Sequence, residues 1–115
     1  MESIVTLFSA IRLPKEILFG KGQRHALPAV AGRLGRRALV CTDERLAASS
    51  DFEQMLDGLR ASGMAVHVHG RVQPDVPRDS AVDCAEEARG FAPDLVIGIG
   101  GGSCLDMAKC AALLL

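Results

Sequence analysis

Three short apolar runs recur along the chain: ALVCT (38–42), MAVHVHG (64–70) and LVIGIG (95–100). Each is short and bounded by charges or turn residues, as buried strands are, and the segments between them carry helical spacing. Strand, helix and strand repeating at roughly 30 residues is the period of a βαβ unit. Parallel strands need such crossovers, and the crossovers are right-handed. The chain is therefore expected to be α/β, a Rossmann-like three-layer parallel sheet. In the first crossover, SDFEQMLDGLRASG (50–63) aligns Phe52, Met55, Leu56 and Leu59, with Ser50 or Asp51 as cap and Gly63 as stop. In the second, RDSAVDCAEEARGF (78–91) turns Ala81, Val82, Ala85 and Ala88 inward, and a last helix starts at Ser103. Upstream, EILFGKGQ (16–23) reads as an edge strand and turn. RHALPAVAGRLG (24–35) reads as a helix that starts near Ala26, because Pro28 fits its first turn, and ends at Gly35.

A sheet covered on both faces needs apolar side chains, and 49% of the 115 residues are apolar. With no Trp or Tyr and four Phe, the core must be Leu, Val, Ile and Ala. A formal charge of -1 leaves no footprint for nucleic acid or an anionic membrane. No stretch approaches the ~20 apolar residues of a membrane helix, and the N-terminus lacks the pattern of a signal peptide. Cys41, Cys84, Cys104 and Cys110 form no C-x-x-C pair and sit in buried-type segments, as reduced thiols of a cytoplasmic protein would. Three strands make about half of a doubly wound dinucleotide fold, and AKCAALLL runs to Leu115 without a cap. Residues 1–115 are accordingly expected to be one partial, N-terminal domain of something longer.

The third strand breaks into Gly100, Gly101 and Gly102, followed by Ser103 and a helical pattern. Ligands of open α/β sheets bind at the carboxyl ends of strands. A helix N-terminus there offers unpaired N–H groups and the positive end of its dipole to an anion. Glycine lets a phosphate reach those amides, and the Ser103 hydroxyl can donate to it. The run is neither G-x-G-x-x-G nor a P-loop. The competing reading is a tight turn with Ser103 as N-cap and Asp106 completing a capping box.

Asp43 follows the first strand directly and can accept the hydroxyls of an adenosine ribose, favouring NAD over NADP. It can equally be a turn acid that caps, and nearby Arg45 can accept a 2′-phosphate. Asp75, in the loop after the second strand, is a further candidate for polar contact with a cofactor, against a plain turn acid. His67 and His69 share a strand face. They read as the wetter face of an edge strand rather than as metal ligands, since no third ligand is near. Cys104 sits where a helix dipole can lower its pKa, but it has no partner base. Glu86 and Glu87 read as solvated helix face.

GIGGGSCLDMAK resembles the hallmark of the iron-containing (group III, metal-dependent) alcohol dehydrogenase family, G-G-G-S-x-x-D-x-A-K. Gly100, Gly101, Gly102, Ser103, Asp106, Ala108 and Lys109 match it position for position. APDLVIGIGGGS, RVQPDVPRDSAVDCAEEARGF, ALVCTDERL and LPKEILFGKGQRHALP resemble the family's segments as well, so the likeness runs from about Arg12 onward. The resemblance implies that Gly101, Gly102 and Ser103 carry a pyrophosphate, that Asp43 sits by the adenosine ribose and that Asp106 lies near the nicotinamide half.

The resemblance also implies a cofactor, NAD or NADP, and a divalent metal, iron or zinc, held by a helical domain absent from these residues. No catalytic or metal-ligating residue is then expected in this chain. The implied activity is hydride transfer between a small alcohol and its aldehyde or ketone, with no nucleic-acid or membrane partner and with homo-oligomerisation open. The fragment alone is expected to be inactive. Within the resemblance, Ser103 speaks for the alcohol dehydrogenase branch over glycerol dehydrogenase, the D-x-A-K continuation over dehydroquinate synthase, and Asp106 over maleylacetate reductase, with these three relatives kept as alternatives. A stand-alone nucleotide-binding module is the alternative of another class.

Overall fold

The computed structural model describes Glu16 and residues 18–115. A 3₁₀ turn (Gln23–Ala26) leads into α1 (Leu27–Gly32), β1 (Arg37–Cys41), α2 (Glu44–Ala47) and α3 (Ser50–Ala61). Then come β2 (Ala65–His69), α4 (Arg78–Arg89), β3 (Leu95–Gly98) and α5 (Gly102–Leu114). The strands form one sheet in the order β2-β1-β3, parallel throughout. Leu39 lies between His67 and Val96, and Cys41 between His69 and Gly98. The α/β, Rossmann-like expectation is met.

β1 takes the centre because residues 38–41 are apolar on both faces, and all four are buried. With a side-chain period of two, Leu39 and Cys41 pack against Ala81, Cys84 and Ala88 of α4 and Met107 and Ala111 of α5. Ala38 and Val40 meet Ala31 of α1 and Phe52, Leu56 and Leu59 of α3 on the other side. The result is three layers. The helices that follow β1 cover one face, and those that follow β2 and β3 cover the other. That reversal opens a crevice at the carboxyl ends of β1 and β3, the switch point where α/β sheets bind ligands.

Local chemistry moves several boundaries. Ser49, not Ser50 or Asp51, caps α3, accepting from the Phe52 amide at 3.2 Å. Asp51 then falls in the first turn, where a negative charge suits the dipole. Gly63 ends the segment with φ +91°. On α4 the inward face is Ala81, Cys84, Ala85 and Ala88, while Val82 points outward. The i, i+3, i+4, i+7 stripe selects the small residues and leaves the larger apolar one outside. Pro28 does sit in the first turn of α1, which ends at Gly32 rather than Gly35. Ile17 lies outside the described residues, and the rest of 16–23 forms no strand: Gly20 and Gly22 turn the chain with φ +138° and +81°.

Asp94 locks the opposite, amino-terminal edge of the sheet. Its carboxylate accepts from the amides of Arg36 (2.9 Å) and Arg37 (2.7 Å), and its own N–H donates to the Arg37 carbonyl (2.9 Å). Those two amides, first among the causes, hold the carboxyl below its usual range. A Cβ at Gly35 would collide with this carboxylate, so glycine is required there. The Arg37 guanidinium lies 4.3 Å over the Phe91 ring and donates to the Phe91 carbonyl. Among the described residues no helix is long and apolar enough to cross a membrane.

Candidate functional site

The carboxyl ends of all three strands meet at Thr42, which is fully buried. Its Oγ1 donates to the Ile99 carbonyl (2.9 Å), its amide donates to the His69 carbonyl (2.9 Å), and its carbonyl accepts from Val72 (3.1 Å). The Ile99 amide returns a bond to the Cys41 carbonyl (3.0 Å). One residue thus fixes where the loops after β1, β2 and β3 leave the sheet. The signal for it was a lone hydroxyl at the end of an apolar strand, which sequence reading absorbed into the strand itself.

The glycines of the third turn divide into two kinds. A Cβ on Gly98 would lie 3.0 Å from Ala108 Cβ and 3.1 Å from the Cys104 carbonyl. Gly100 has φ +134°, and a Cβ there would come within 2.8 Å of Cys104 Sγ and 2.9 Å of Leu46 Cδ1. Packing and backbone geometry explain both. Gly101 and Gly102 are different: a Cβ on either meets nothing within 4 Å, and neither has positive φ. Nothing among the described residues asks for glycine at these two positions, although glycine in a helix costs roughly 0.5–1 kcal/mol relative to alanine.

Gly101 is the N-cap of α5 and makes no side-chain cap, so the competing reading, a capping box of Ser103 and Asp106, is not formed. Ser103 is instead the second helical residue. The amides of Gly102 and Ser103, at the start of α5, have no acceptor within the helix. Gly101, Gly102, Ser103 and Cys104 line a hollow of about 220 Å³ together with Asp43, Val72 and Pro74. A neighbouring hollow of about 470 Å³ shares Asp43, Val72 and Pro74 and adds Glu44, Arg45, Arg71 and Gln73.

Asp43 lines both hollows and also caps α2, its Oδ1 accepting from the Leu46 amide at 2.7 Å. Its Oδ2 lies 3.9 Å from Cys104 Sγ. Burial and then the Asp43 charge push the Cys104 thiol up, opposite to the lowering that a helix dipole alone would give. Asp75 is exposed with φ +62° and lines neither hollow; Val72 and Pro74 of the same loop do. Asp106 is exposed one turn along α5, also outside the linings. Gly100 serves the turn from behind. The structure thus brings Asp43, Gly101, Gly102 and Ser103 together, with Val72, Pro74, Arg45 and Arg71 as neighbours that spacing alone did not single out as a lining.

His67 and His69 do lie on an edge strand, but the face is not open. Glu87 of α4 joins them: Oε1 is 3.0 Å from His67 Nε2, and Oε2 is 3.4 Å from His69 Nδ1 and 3.3 Å from an Arg71 nitrogen. Glu87 is therefore a clasped carboxylate rather than a solvated one. Among the described residues no three His, Cys, Asp or Glu side chains converge as metal ligands.

Residues 14–115 match the family model described as iron-containing alcohol dehydrogenase. A long-chain-alcohol dehydrogenase of Geobacillus thermodenitrificans is 41% identical over 96 residues, 83% of this chain and 24% of that protein. A maleylacetate reductase of Cupriavidus pinatubonensis is 40% identical over 103 residues, 87% of this chain and 27% of that one. The solved alcohol dehydrogenase of Oenococcus oeni superposes with a TM-score of 0.78 at 26% identity, covering 84% of this chain and 26% of its own. The chain spans about a quarter of the length of the curated relatives it matches.

Proposed function

The chain belongs to the iron-containing alcohol dehydrogenase family, and from that premise we propose that it is the cofactor-binding N-terminal part of an NAD(P)-dependent, metal-dependent alcohol dehydrogenase. The observation that carries the reading is the pair Gly101 and Gly102. They are bare where nothing among the described residues needs them bare, at the mouth of a helix and beside a hollow. A ligand pressed against the backbone gives them a reason, and an anion is what a helix N-terminus attracts.

In this reading the amides of Gly102 and Ser103 receive the pyrophosphate, with the Ser103 hydroxyl as a further donor and Gly100 holding the turn. Asp43 keeps one oxygen for its cap and offers the other to the adenosine ribose. Arg45 and Arg71 flank the same hollow and can neutralise a 2′-phosphate, so NAD and NADP both remain within reach. Asp75 and Asp106, outside the linings, act at longer range, Asp106 towards the nicotinamide half. The cofactor supplies the hydride acceptor or donor; the chain's residues bind it and fix its orientation.

Among the described residues no group of His, Cys, Asp and Glu side chains fits a metal site. The metal is assigned to a longer enzyme, as the iron of the family name; zinc finds no support. Substrates are read as small alcohols, aldehydes or related oxo compounds, and the location as cytoplasmic from four free thiols. The 40% identity to a maleylacetate reductase supports a second reading in which the same half-site serves an oxo-acid reductase.

Calorimetry of the chain with NAD, NADP and ADP tests the proposal. Weak saturable binding, roughly millimolar, that disappears in Gly101→Val is expected, with no turnover of alcohols. Micromolar affinity favours a self-sufficient nucleotide module. Unchanged binding by Gly101→Val overturns the assignment of the site.

A further inference from the structure

The loop after β2 carries a cation that borders two hollows at once. Arg71 lines the hollow of about 470 Å³ beside Asp43, and it also lines a hollow of about 240 Å³ with His69, Ser80, Asp83 and Glu87. Its guanidinium is engaged on the second side, where one nitrogen is 3.3 Å from Glu87 Oε2. Glu87 does not depend on this partner. Its Oε1 lies 3.0 Å from His67 Nε2, and its Oε2 lies 3.4 Å from His69 Nδ1. Burial alone would raise the Glu87 carboxyl, yet the bond from His67 and the contact with His69 hold it below its usual range. The carboxylate is therefore ionised at neutral pH and engaged twice from β2 without Arg71.

Arg71 has the looser hold. Its side chain is 70% exposed, and an ion pair in water of that kind is weak. A phosphate offers a guanidinium two oxygens at once, whereas Glu87 offers one oxygen that His69 already shares. The charge of the larger hollow depends on which partner Arg71 keeps. The charged groups of its lining are Asp43, Glu44, Arg45 and Arg71. With Arg71 drawn to Glu87, the two carboxylates outweigh Arg45, and Asp43 opposes any further anion. With Arg71 released, the signs balance, and Arg45 and Arg71 can approach one phosphate from the loops after β1 and β2.

We infer that Arg71 is a specificity-determining residue of the nucleotide half-site, and that Glu87 is its positioning residue, competing with the 2′-phosphate of NADP for the guanidinium. The inference rests on the reading of Asp43 and the α5 amides as a nucleotide site. NAD meets a hollow from which Arg71 is withdrawn. NADP has to take Arg71 from Glu87, and the strength of that ion pair is subtracted from its affinity.

Titration of the full chain with NAD and with NADP, which differ by that phosphate alone, tests the competition. Glu87→Gln keeps the size of the side chain and removes its charge. It is expected to raise the ratio of NADP to NAD affinity about fivefold, the equivalent of one exposed ion pair. Adding Arg71→Ala should abolish the gain, whereas the loss of a negative charge acting at a distance would survive that second change. A merely structural role for Glu87 would weaken both nucleotides together and leave the ratio where it was. An unchanged ratio in Glu87→Gln, or a gain that survives Arg71→Ala, overturns the inference while NAD binding upholds the proposed function. If the unaltered chain binds neither nucleotide, both fall. If Glu87→Gln does not fold, Arg71→Ala alone decides: the ratio should drop, and an unchanged ratio overturns the inference.

Discussion

Adjacent glycines in one turn answer to different forces. Gly100→Ala places a Cβ against Cys104 and Leu46 at a φ that L-residues avoid. It should cost roughly 2–4 kcal/mol in urea unfolding. Gly102→Ala meets nothing and removes a helix-breaking residue, so the same measurement should show no loss or a gain of up to about 1 kcal/mol. Equal losses at both positions would mean that the turn itself, not a ligand, needs Gly102. Asp94 makes a separate prediction. Its folded-state pKa lies below the ordinary 3.8, so its stabilising contribution is full above the unfolded value and is lost as pH falls through the folded one. Asp94→Asn should therefore unfold more easily at pH 7, with the difference from the parent shrinking below about pH 4. A pH-independent difference would assign the effect to packing instead.

Among elements, the tie at Thr42 governs whether the loops of the site keep their places. Thr42→Val keeps the volume but removes the donor to the Ile99 carbonyl. About 1 kcal/mol should be lost, and amide hydrogen exchange should quicken at the carboxyl ends of β1 and β3 rather than uniformly. Protection unchanged at those ends would show that Thr42 is only a filler. The strands were legible in the sequence because short β-branched runs have few other uses, and the helices because apolar residues recur at 3.6. Caps and faces were less so. Ser49 competed with Ser50 and Asp51, and only the chain's entry angle separates three polar neighbours. Val82 outranks Cys84 in hydrophobicity, yet the stripe through Ala81, Ala85 and Ala88 turns it out. The site was legible where it is backbone, in the glycine run. Its walls were not, since Val72, Pro74 and Arg71 reach it only through the loop that Thr42 anchors. Glu87 reads from the sequence as solvated because its partners His67 and His69 come from a strand some twenty residues earlier.

At the scale of the molecule, the three-stranded sheet of the described residues has β2 and β3 as its outer strands, and Leu113, Leu105 and Leu114 are substantially exposed. Open strand edges and apolar patches promote association. Leu113→Glu should leave the unfolding free energy within about 0.5 kcal/mol while reducing concentration-dependent association in sedimentation; unchanged association would place the contact elsewhere. What makes this sheet more than a scaffold is its switch point, where Asp43 and the α5 amides converge across β1 and β3. The central claim is that those amides are kept bare for a diphosphate. A titration of the nitrogen-15-labelled chain with ADP, followed by amide chemical shifts, tests it most directly. The account predicts saturating shifts concentrated at Gly101, Gly102 and Ser103 and abolished in Gly101→Val. Shifts absent from these three amides while others respond, or no response at concentrations well above the millimolar range, would contradict it.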